Sequence, residues 1–226
     1  MSWKTTWNTS NTNALIALAV VSGIRVSPSS PELRDELKQT SISSPENANI
    51  FDRAIRDLLR IGGFKPAGRN RPAQEYLARM VETVGGLQNI SNAVDVNNLI
   101  SLRYRLPASV IKASVLPGGL IIREGRPGET YKFNASGQEL NLEGLLCLCS
   151  RDDEPVASPI KDAFSSHVDD ATTEIVTCVY SSRELTSPDS LRSILDEYIA
   201  LLLKHCGGRH SVCMVIKPDE AIKNTW

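Results

Sequence analysis

The sequence predicts an α+β protein in which helices flank a β-rich middle built of mixed β-sheets. Between residues 30 and 86 apolar residues recur at helical spacing. From residue 92 onward short apolar runs are broken by Gly, Pro and Asn, a pattern typical of strands and hairpins. No internal repeat and no long linker divides the 226 residues. We therefore expect a single domain spanning residues 1–226.

The first predicted elements are a buried strand and a capped helix. The strand is ALIALAVVSGIRV (residues 14–26), whose apolar core is too short to cross a bilayer. Lys4 is the only basic residue before it, which favours a strand over a signal peptide. Ser30 as N-cap and Pro31 at the first helical position then predict a helix over SSPELRDELK.

Two more helices follow in the first half of the chain. They are ENANIFDRAIRDLLRIGGF (46–64) and RPAQEYLARMVETVGG (71–86). Apolar residues keep helical spacing in both, and each helix ends at a Gly-Gly pair that suits a C-cap.

The stretch NAVDVNNLISLRYRLP (92–107) places three polar side chains in an otherwise apolar run. They are Asp95, Asn97 and Asn98. Buried polar groups destabilise a fold unless they are hydrogen-bonded. We interpret the stretch as a strand-to-helix corner, where the polar residues fix the corner and form one wall of a cavity.

The rest of the chain is predicted to be mainly strands. Residues 118–150, GGLIIREGRPGETYKFNASGQELNLEGLLCLCS, have the composition of hairpins. EIVTCVY (174–180) is a β-branched strand. SPDSLRSILDEYIALLLKHCGG (187–208) is a capped amphipathic helix, and HSVCMVI (210–216) is a last strand.

Composition excludes several functional classes. The net charge of -1 provides no global attraction to nucleic acid or anionic membrane, so an RNA-binding surface has to be a local patch. Five cysteines form no CxxC motif, which indicates reduced thiols in a cytoplasmic protein. We expect no metal site, no cofactor and no membrane association.

Four short motifs lie in order in the middle of the chain: VDVNN continuing to LP (94–107), IIR followed by GET (121–130), SGQEL (136–140) and VDDAT (168–172). In this order, over about residues 88–182, they resemble the B-three/B-four module of the bacterial phenylalanyl-tRNA synthetase beta subunit. The lead-in RPAQEYL (71–77) and the C-terminal helix and strand are similar to the flanks of free-standing copies. Nothing resembles the other parts of that subunit, so the chain is not a complete aminoacyl-tRNA ligase.

The resemblance implies a fold of the B-three/B-four type and a tRNA-binding and editing function. The implied partners are tRNA, through its aminoacylated acceptor end, and the amino acid moiety as a ligand. The implied reaction is hydrolysis of mischarged aminoacyl-tRNA in trans. Ester hydrolysis of this kind needs a positioned water and oxyanion donors. No triad is visible among the scattered His167, His205 and His210, so the catalytic residues stay unassigned.

Two positions depart from the synthetase pattern. Its members place a histidine just after the Leu/Gln-Pro turn, where this chain has Ser109. They place a glutamate that binds the tyrosine hydroxyl where Cys178 falls here, or Thr177 with a slip of one residue. A thiol accepts hydrogen bonds poorly. We therefore do not expect tyrosine-specific editing, and editing of a different amino acid or no catalysis stays open.

The predicted substrate-binding residues are Asp95, Asn97, Asn98, Ser109, Arg123, Glu129, Asp162 and Cys178. Several also have a structural interpretation. Asp95 and Asn98 suit helix caps or turn anchors. Arg123 and Glu129 could pair across a hairpin. Cys178 suits an inert buried thiol. His167, in the same loop as Asp162, is either solvated or a proton carrier.

Basic residues cluster between Arg53 and Arg79, where seven stand against two acids. One interpretation is a solvated helix face. The other is a patch that contacts tRNA phosphates, which supply affinity with little sequence specificity. On that interpretation the predicted tRNA-binding residues are Lys65, Arg69, Arg71 and Arg79.

Two other functions stay open. One is a non-catalytic module that binds tRNA or a free amino acid. The other is a small-metabolite enzyme that reuses the fold, since a fold alone does not determine chemistry. The sequence predicts no particular oligomeric state.

Overall fold

A computed structural model describes residues 3–9, 11–40 and 45–216. Within these ranges the chain forms five α-helices and ten strands, which confirms the α+β prediction. The helices are α1 Pro31–Gln39, α2 Pro45–Arg60, α3 Ala73–Val84, α4 Asn92–Tyr104 and α5 Pro188–Cys206. The strands are β1 Lys4–Asn8, β2 Ala14–Ser22, β3 Ala108–Lys112, β4 Gly119–Glu124, β5 Thr130–Lys132, β6 Glu139–Asn141, β7 Leu146–Cys149, β8 Pro155–Ala157, β9 Glu174–Ser182 and β10 Arg209–Ile216.

The strands form two four-stranded sheets and one small ribbon. The first sheet is antiparallel in the order β10-β2-β9-β3. The second has the order β1-β4-β7-β8, with β1 parallel to β4, and β5 pairs with β6. Residues 14–21 of β2 are all buried, as expected for an apolar strand covered on both faces. No helix in the described ranges is long and apolar enough to span a bilayer.

The predicted starts and ends of the helices agree closely with the structure. Ser30 caps α1 by accepting a hydrogen bond from the Leu33 amide at 3.2 Å, and Pro31 is the first helical residue. Gly85 ends α3 in the left-handed conformation. Helix α5 starts at a capping Ser187 and buries an apolar stripe that includes Leu195. Local sequence therefore determines these boundaries.

The predicted strand-to-helix corner at residues 92–107 is wrong. Asp95, Asn97 and Asn98 all lie in helix α4, which is buried over almost its whole length and contacts α1, α3, α5 and β3. The N-cap is Ser91, whose Oγ accepts from the Val94 amide at 3.4 Å. A helix enclosed on all sides shows no polar stripe, so its sequence lacked the usual helical signal.

Asp95 anchors the chain that leads into α4. Its carboxylate accepts hydrogen bonds from Ser29 Oγ at 2.6 Å, Asn89 Nδ2 at 2.9 Å and the Ile90 amide at 3.1 Å. The side chain is fully buried. Three donors satisfy this buried charge, which explains why an acid lies in an apolar stretch.

The connection between α2 and α3 begins at a close backbone contact. Gly62 lies against Gly144 in the turn between β6 and β7, and a Cβ atom on either residue would overlap the carbonyl oxygen of the other. Gly144 also has a positive φ of 70°. The contact holds the start of the segment 61–72 against the β-sheets.

Candidate functional site

A cavity of about 650 Å³ opens between α3, α4, the β5–β6 hairpin and the loop 158–162. This volume lies within the range of roughly 300–1,000 Å³ that is usual for small-ligand sites. Of the predicted site residues, six line the cavity: Asn97, Asn98, Asp162, Arg69, Arg71 and Arg79. The structure therefore brings three of the eight predicted substrate-binding residues and three of the four predicted tRNA-binding residues to one place.

Cations form the rim of the cavity. Arg69 lies on the short 3₁₀ turn Gly68–Asn70, Arg79 on α3, and Lys161 on the facing loop. Arg71 also lines it, with its Nε 3.8 Å from the buried carboxylate of Glu75. Lys65, which was predicted with them, is exposed but does not line the cavity. The rim thus has a local positive field on a protein of nearly zero net charge.

Two aromatic rings stand beside these cations. Tyr76 on α3 lines the cavity while 57% exposed, and Phe133 reaches it from the turn after β5. Lys161 Nζ lies 3.9 Å from the centre of the Phe133 ring, a cation–π contact. An exposed aromatic ring among cations, such as Tyr76, is typical of surfaces that stack nucleobases, whereas Phe133 is half-buried.

The polar floor is formed from α4. Asn97 is held in place because its Oδ1 accepts from Tyr198 at 2.6 Å and its Nδ2 donates to the Ala108 carbonyl at 3.3 Å. Asn98 also lines the cavity, and its amide makes no hydrogen bond with any described residue. The Asn97 side chain is thus already hydrogen-bonded within the protein, whereas the Asn98 side chain can form hydrogen bonds with a ligand.

Asp162 is the only acid among the described residues that line the cavity. Its Oδ1 accepts from Ser109 Oγ at 2.7 Å and from the Ser158 amide at 3.4 Å. Ser109 Oγ also lies 3.2 Å from the Tyr180 hydroxyl. Burial raises the pKa of Asp162 to about 7, against the smaller opposing effect of these hydrogen bonds. The carboxyl group can therefore gain or lose a proton near neutral pH.

Ser109 and Cys178 lie behind this floor. They face each other across β3 and β9, and both side chains are almost completely buried. Burial raises the pKa of the Cys178 thiol well above its ordinary value, so the thiol is neutral. Neither residue reaches the cavity wall, and the structural interpretation of Cys178 as an inert thiol fits its surroundings.

Three predicted substrate-binding residues lie away from the cavity. Asp95 is at the start of α4, as described above. Arg123 pairs with Glu129 at 2.7 and 2.8 Å and with Asp153 at 2.6 Å. Hydrogen bonding to Arg123 lowers the pKa of Glu129, which keeps the pair ionised. The structure thus shows Arg123 and Glu129 paired with each other, which was the structural alternative to their predicted contact with a ligand.

His167 lies at the end of a 3₁₀ turn with its ring edge-on to Phe164 at 5.4 Å. It is exposed and does not line the cavity. Among the described residues no three His, Cys, Asp or Glu side chains are grouped as a metal site would need.

The cavity residues that were not predicted from the sequence include two aromatic rings and a cation: Tyr76, Phe133 and Lys161. Lys161 is next to Asp162 in the chain, and that charge pair was a usable signal. Tyr76 lay in a recognised amphipathic helix but off its apolar stripe. Phe133 gave no signal, since only the pairing of β5 with β6 carries it toward α3.

The B3/4 domain family model matches residues 64–207, a range that includes every residue lining the cavity. The matched range is longer than residues 88–182, over which the short motifs show the resemblance, and it includes α3 and α5. Residues 64–207 make up more than half of the chain.

Curated relatives of the chain are phenylalanine–tRNA ligase beta subunits. That of Bradyrhizobium diazoefficiens is 29% identical over 110 residues, which are 48% of this chain and 13% of the relative. That of Nitrobacter winogradskyi is 30% identical over 110 residues, again 48% and 13%. That of Thiobacillus denitrificans is 26% identical over 152 residues, 67% and 18%. The chain thus matches less than a fifth of the length of each of these relatives.

One solved structure similar to this chain is an N-terminal fragment of the phenylalanyl-tRNA synthetase beta-subunit from Pyrococcus horikoshii. It has 10% sequence identity and a TM-score of 0.45, over 93% of this chain and 52% of that one.

Proposed function

This chain belongs to the B3/4 domain family, and we propose that it binds the aminoacylated acceptor end of tRNA and hydrolyses mischarged aminoacyl-tRNA in trans. The observation that carries the proposal is the single cavity that combines a cationic rim, two aromatic rings and a polar floor. The proposal places the protein in the cytoplasm, where aminoacyl-tRNA is found.

The rim suits the single-stranded end of a tRNA. Arg69, Arg79 and Lys161 offer charge to the phosphates, while Tyr76 and Phe133 offer ring faces to unstacked bases. Phosphate contacts and stacking both tolerate sequence variation, so this surface suits the common end of several tRNAs.

The cavity suits an aminoacyl group attached to the terminal ribose. In the proposed reaction a water oxygen attacks the ester carbonyl carbon, and the bond to the ribose oxygen breaks. The amino acid leaves as a carboxylate. One water proton passes to the departing ribose oxygen, which becomes a hydroxyl, and the other is released to solvent. Backbone amides and the neighbouring ribose hydroxyl of the substrate can position the water and the oxyanion, so the reaction needs no side-chain triad.

A non-catalytic tRNA or amino-acid binder is the second candidate. The sequence resemblance predicts Ser109 at the position of the synthetase histidine, and Cys178 or Thr177 at that of its glutamate. Ser109 and Cys178 are both buried and do not line the cavity. A neutral, buried thiol cannot take the part of a carboxylate. This observation favours binding without turnover.

Two measurements separate the candidates. The first is the rate of ester loss from tRNAs mischarged with a panel of amino acids. Acceleration over buffer for one or more of them supports editing, and none for any of them removes the enzymatic half. The second is the affinity for uncharged tRNA at several salt concentrations, which tests binding alone.

Matched variants assign binding to the rim. Arg69→Gln and Arg79→Gln should each weaken tRNA binding and reduce the salt slope by about one. Arg53→Gln is the control, because Arg53 belongs to the same basic run and its side chain is 85% exposed, but it does not line the cavity. Equal losses in all three variants would show that the run acts only by net charge and would contradict the cavity as the binding site.

A further inference from the structure

The Asp162 carboxyl group forms no ion pair with any described residue. Among the described residues no Lys, Arg or His side chain forms an ion pair with it, although four cations line the same cavity. Its sequence neighbour Lys161 is directed elsewhere: the ammonium lies over the Phe133 ring and 3.5 Å from the Arg69 carbonyl. The two groups therefore do not neutralise each other.

The groups behind Asp162 are neutral. Ser109 Oγ and the Ser158 amide both bond to Oδ1, which fixes the carboxyl group and leaves Oδ2 without a protein donor among the described residues. Tyr180, the next group in this chain of contacts, is buried and keeps its proton. A carboxyl group held only by neutral donors at the edge of a cavity has no counter-charge from these groups, so its ionised form can pair with a positively charged ligand.

Asn98 lines the same cavity, and no described residue forms a hydrogen bond with its side-chain amide. The side-chain oxygen of Asn98 can accept a hydrogen bond, as can Asp162 Oδ2. The charged groups of the cavity other than Asp162 are arginines and a lysine, which only donate. A ligand that meets both acceptors therefore brings N–H donors and a positive charge. An aminoacyl ester has one such group whatever its side chain, the α-ammonium.

From these contacts we infer that Asp162, assisted by Asn98, binds the free α-ammonium group of the aminoacyl moiety. The inference rests on the proposed function and narrows it: the ligand is an aminoacyl ester with an unblocked amine. N-acylated forms, such as formylaminoacyl-tRNA or peptidyl-tRNA, carry no charge at this nitrogen and are rejected. The site thereby distinguishes elongator aminoacyl-tRNA from blocked species.

The test uses 3′-aminoacylamino-3′-deoxyadenosines, in which a stable amide replaces the ester. Alanyl and phenylalanyl compounds are prepared with a free amine and with an N-acetyl group, and binding is measured by calorimetry at neutral pH. The wild-type protein should bind the free-amine compound at least about ten-fold more tightly than its N-acetyl partner, a difference of about 1.4 kcal/mol. Asp162→Asn should abolish the preference, and Asp170→Asn, at an exposed loop acid, should keep it.

Each outcome decides between the inference and its alternatives. Equal binding of both compounds by the wild-type protein overturns it, and so does a preference that survives in Asp162→Asn. Loss of hydrolysis in Asp162→Asn with the preference intact would identify the carboxylate as a general base instead. If neither compound binds but uncharged tRNA does, the inference fails and tRNA binding stands. A preference without any tRNA binding would support the inference and refute the tRNA part of the proposed function.

Discussion

Replacing Asp162 by asparagine should make the protein more stable at alkaline pH and change little at acidic pH. Asparagine has the shape of the protonated acid, and its Oδ1 can still accept from Ser109. The native pKa of Asp162 is raised to about 7 from an ordinary 3.8. The folded protein therefore binds this proton more tightly than the unfolded chain, and stability falls as the pH rises between these two values.

The magnitude follows from the size of the pKa difference. Between pH 5 and pH 8 the native pKa is crossed, so about two pKa units fall in this window, which corresponds to roughly 3 kcal/mol. Asp162 borders an open cavity, and water there reduces the effect. We expect the free energy of unfolding of the variant to gain on the order of 1–2 kcal/mol over wild type between the two pH values.

Urea unfolding at pH 5, 6, 7 and 8 measures this difference directly. Asp170→Asn is the control, since it makes the same substitution at an exposed acid in a turn outside the cavity. Parallel profiles for wild type and Asp162→Asn would refute the reasoning, because they would mean that the carboxyl group titrates alike in the folded and unfolded states.

Three further predictions concern the fold and the site. Gly144→Ala should destabilise the protein by about 2–4 kcal/mol in urea unfolding. The added methyl group would overlap the Gly62 carbonyl oxygen, and residue 144 has a positive φ. A loss below about 0.5 kcal/mol would contradict the close contact. Asn97→Ala should cost roughly 1–3 kcal/mol, since Tyr198 loses the shorter of its two buried hydrogen bonds. Asn98→Ala should leave stability unchanged and weaken ligand binding, and equal stability losses in the two variants would disprove this difference. Cys178 should resist alkylation at pH 8 until the protein is unfolded, as mass spectrometry of the labelled peptides would show, and rapid native labelling would argue against the neutral buried thiol.

Elements with local signals were predictable from the sequence. The caps at Ser30 and Ser187 and the Gly-Gly ends of α2 and α3 each depend on a few neighbouring residues. Helix α4 was not predictable, because its polar residues bond to partners far along the chain. Asp95 bonds to Ser29, and Asn97 bonds to Tyr198. Polar residues with such distant partners resemble a corner when only the local sequence is considered.

The candidate site was only half predictable for the same reason. Motifs and charge identified Asn98, Asp162 and three rim arginines, but not that one cavity joins them. Arg123 and Glu129 had suitable chemistry for a ligand and instead neutralise each other. Whether a charged side chain forms an ion pair within the protein depends on the tertiary structure, which cannot be read from a single sequence.

The Gly62–Gly144 contact fixes the point at which the connection between α2 and α3 leaves the β-sheets. Beyond it, Arg69 and Arg71 lie on one short connection, whereas Asn97 and Asn98 belong to a helix enclosed by the core. Under the proposed function, substitutions at the exposed residues 67–69 of this connection would change its contacts with RNA and leave the enclosed helix unaltered. In related proteins the proposed RNA contacts could thus differ while the residues that α4 contributes to the cavity stay the same.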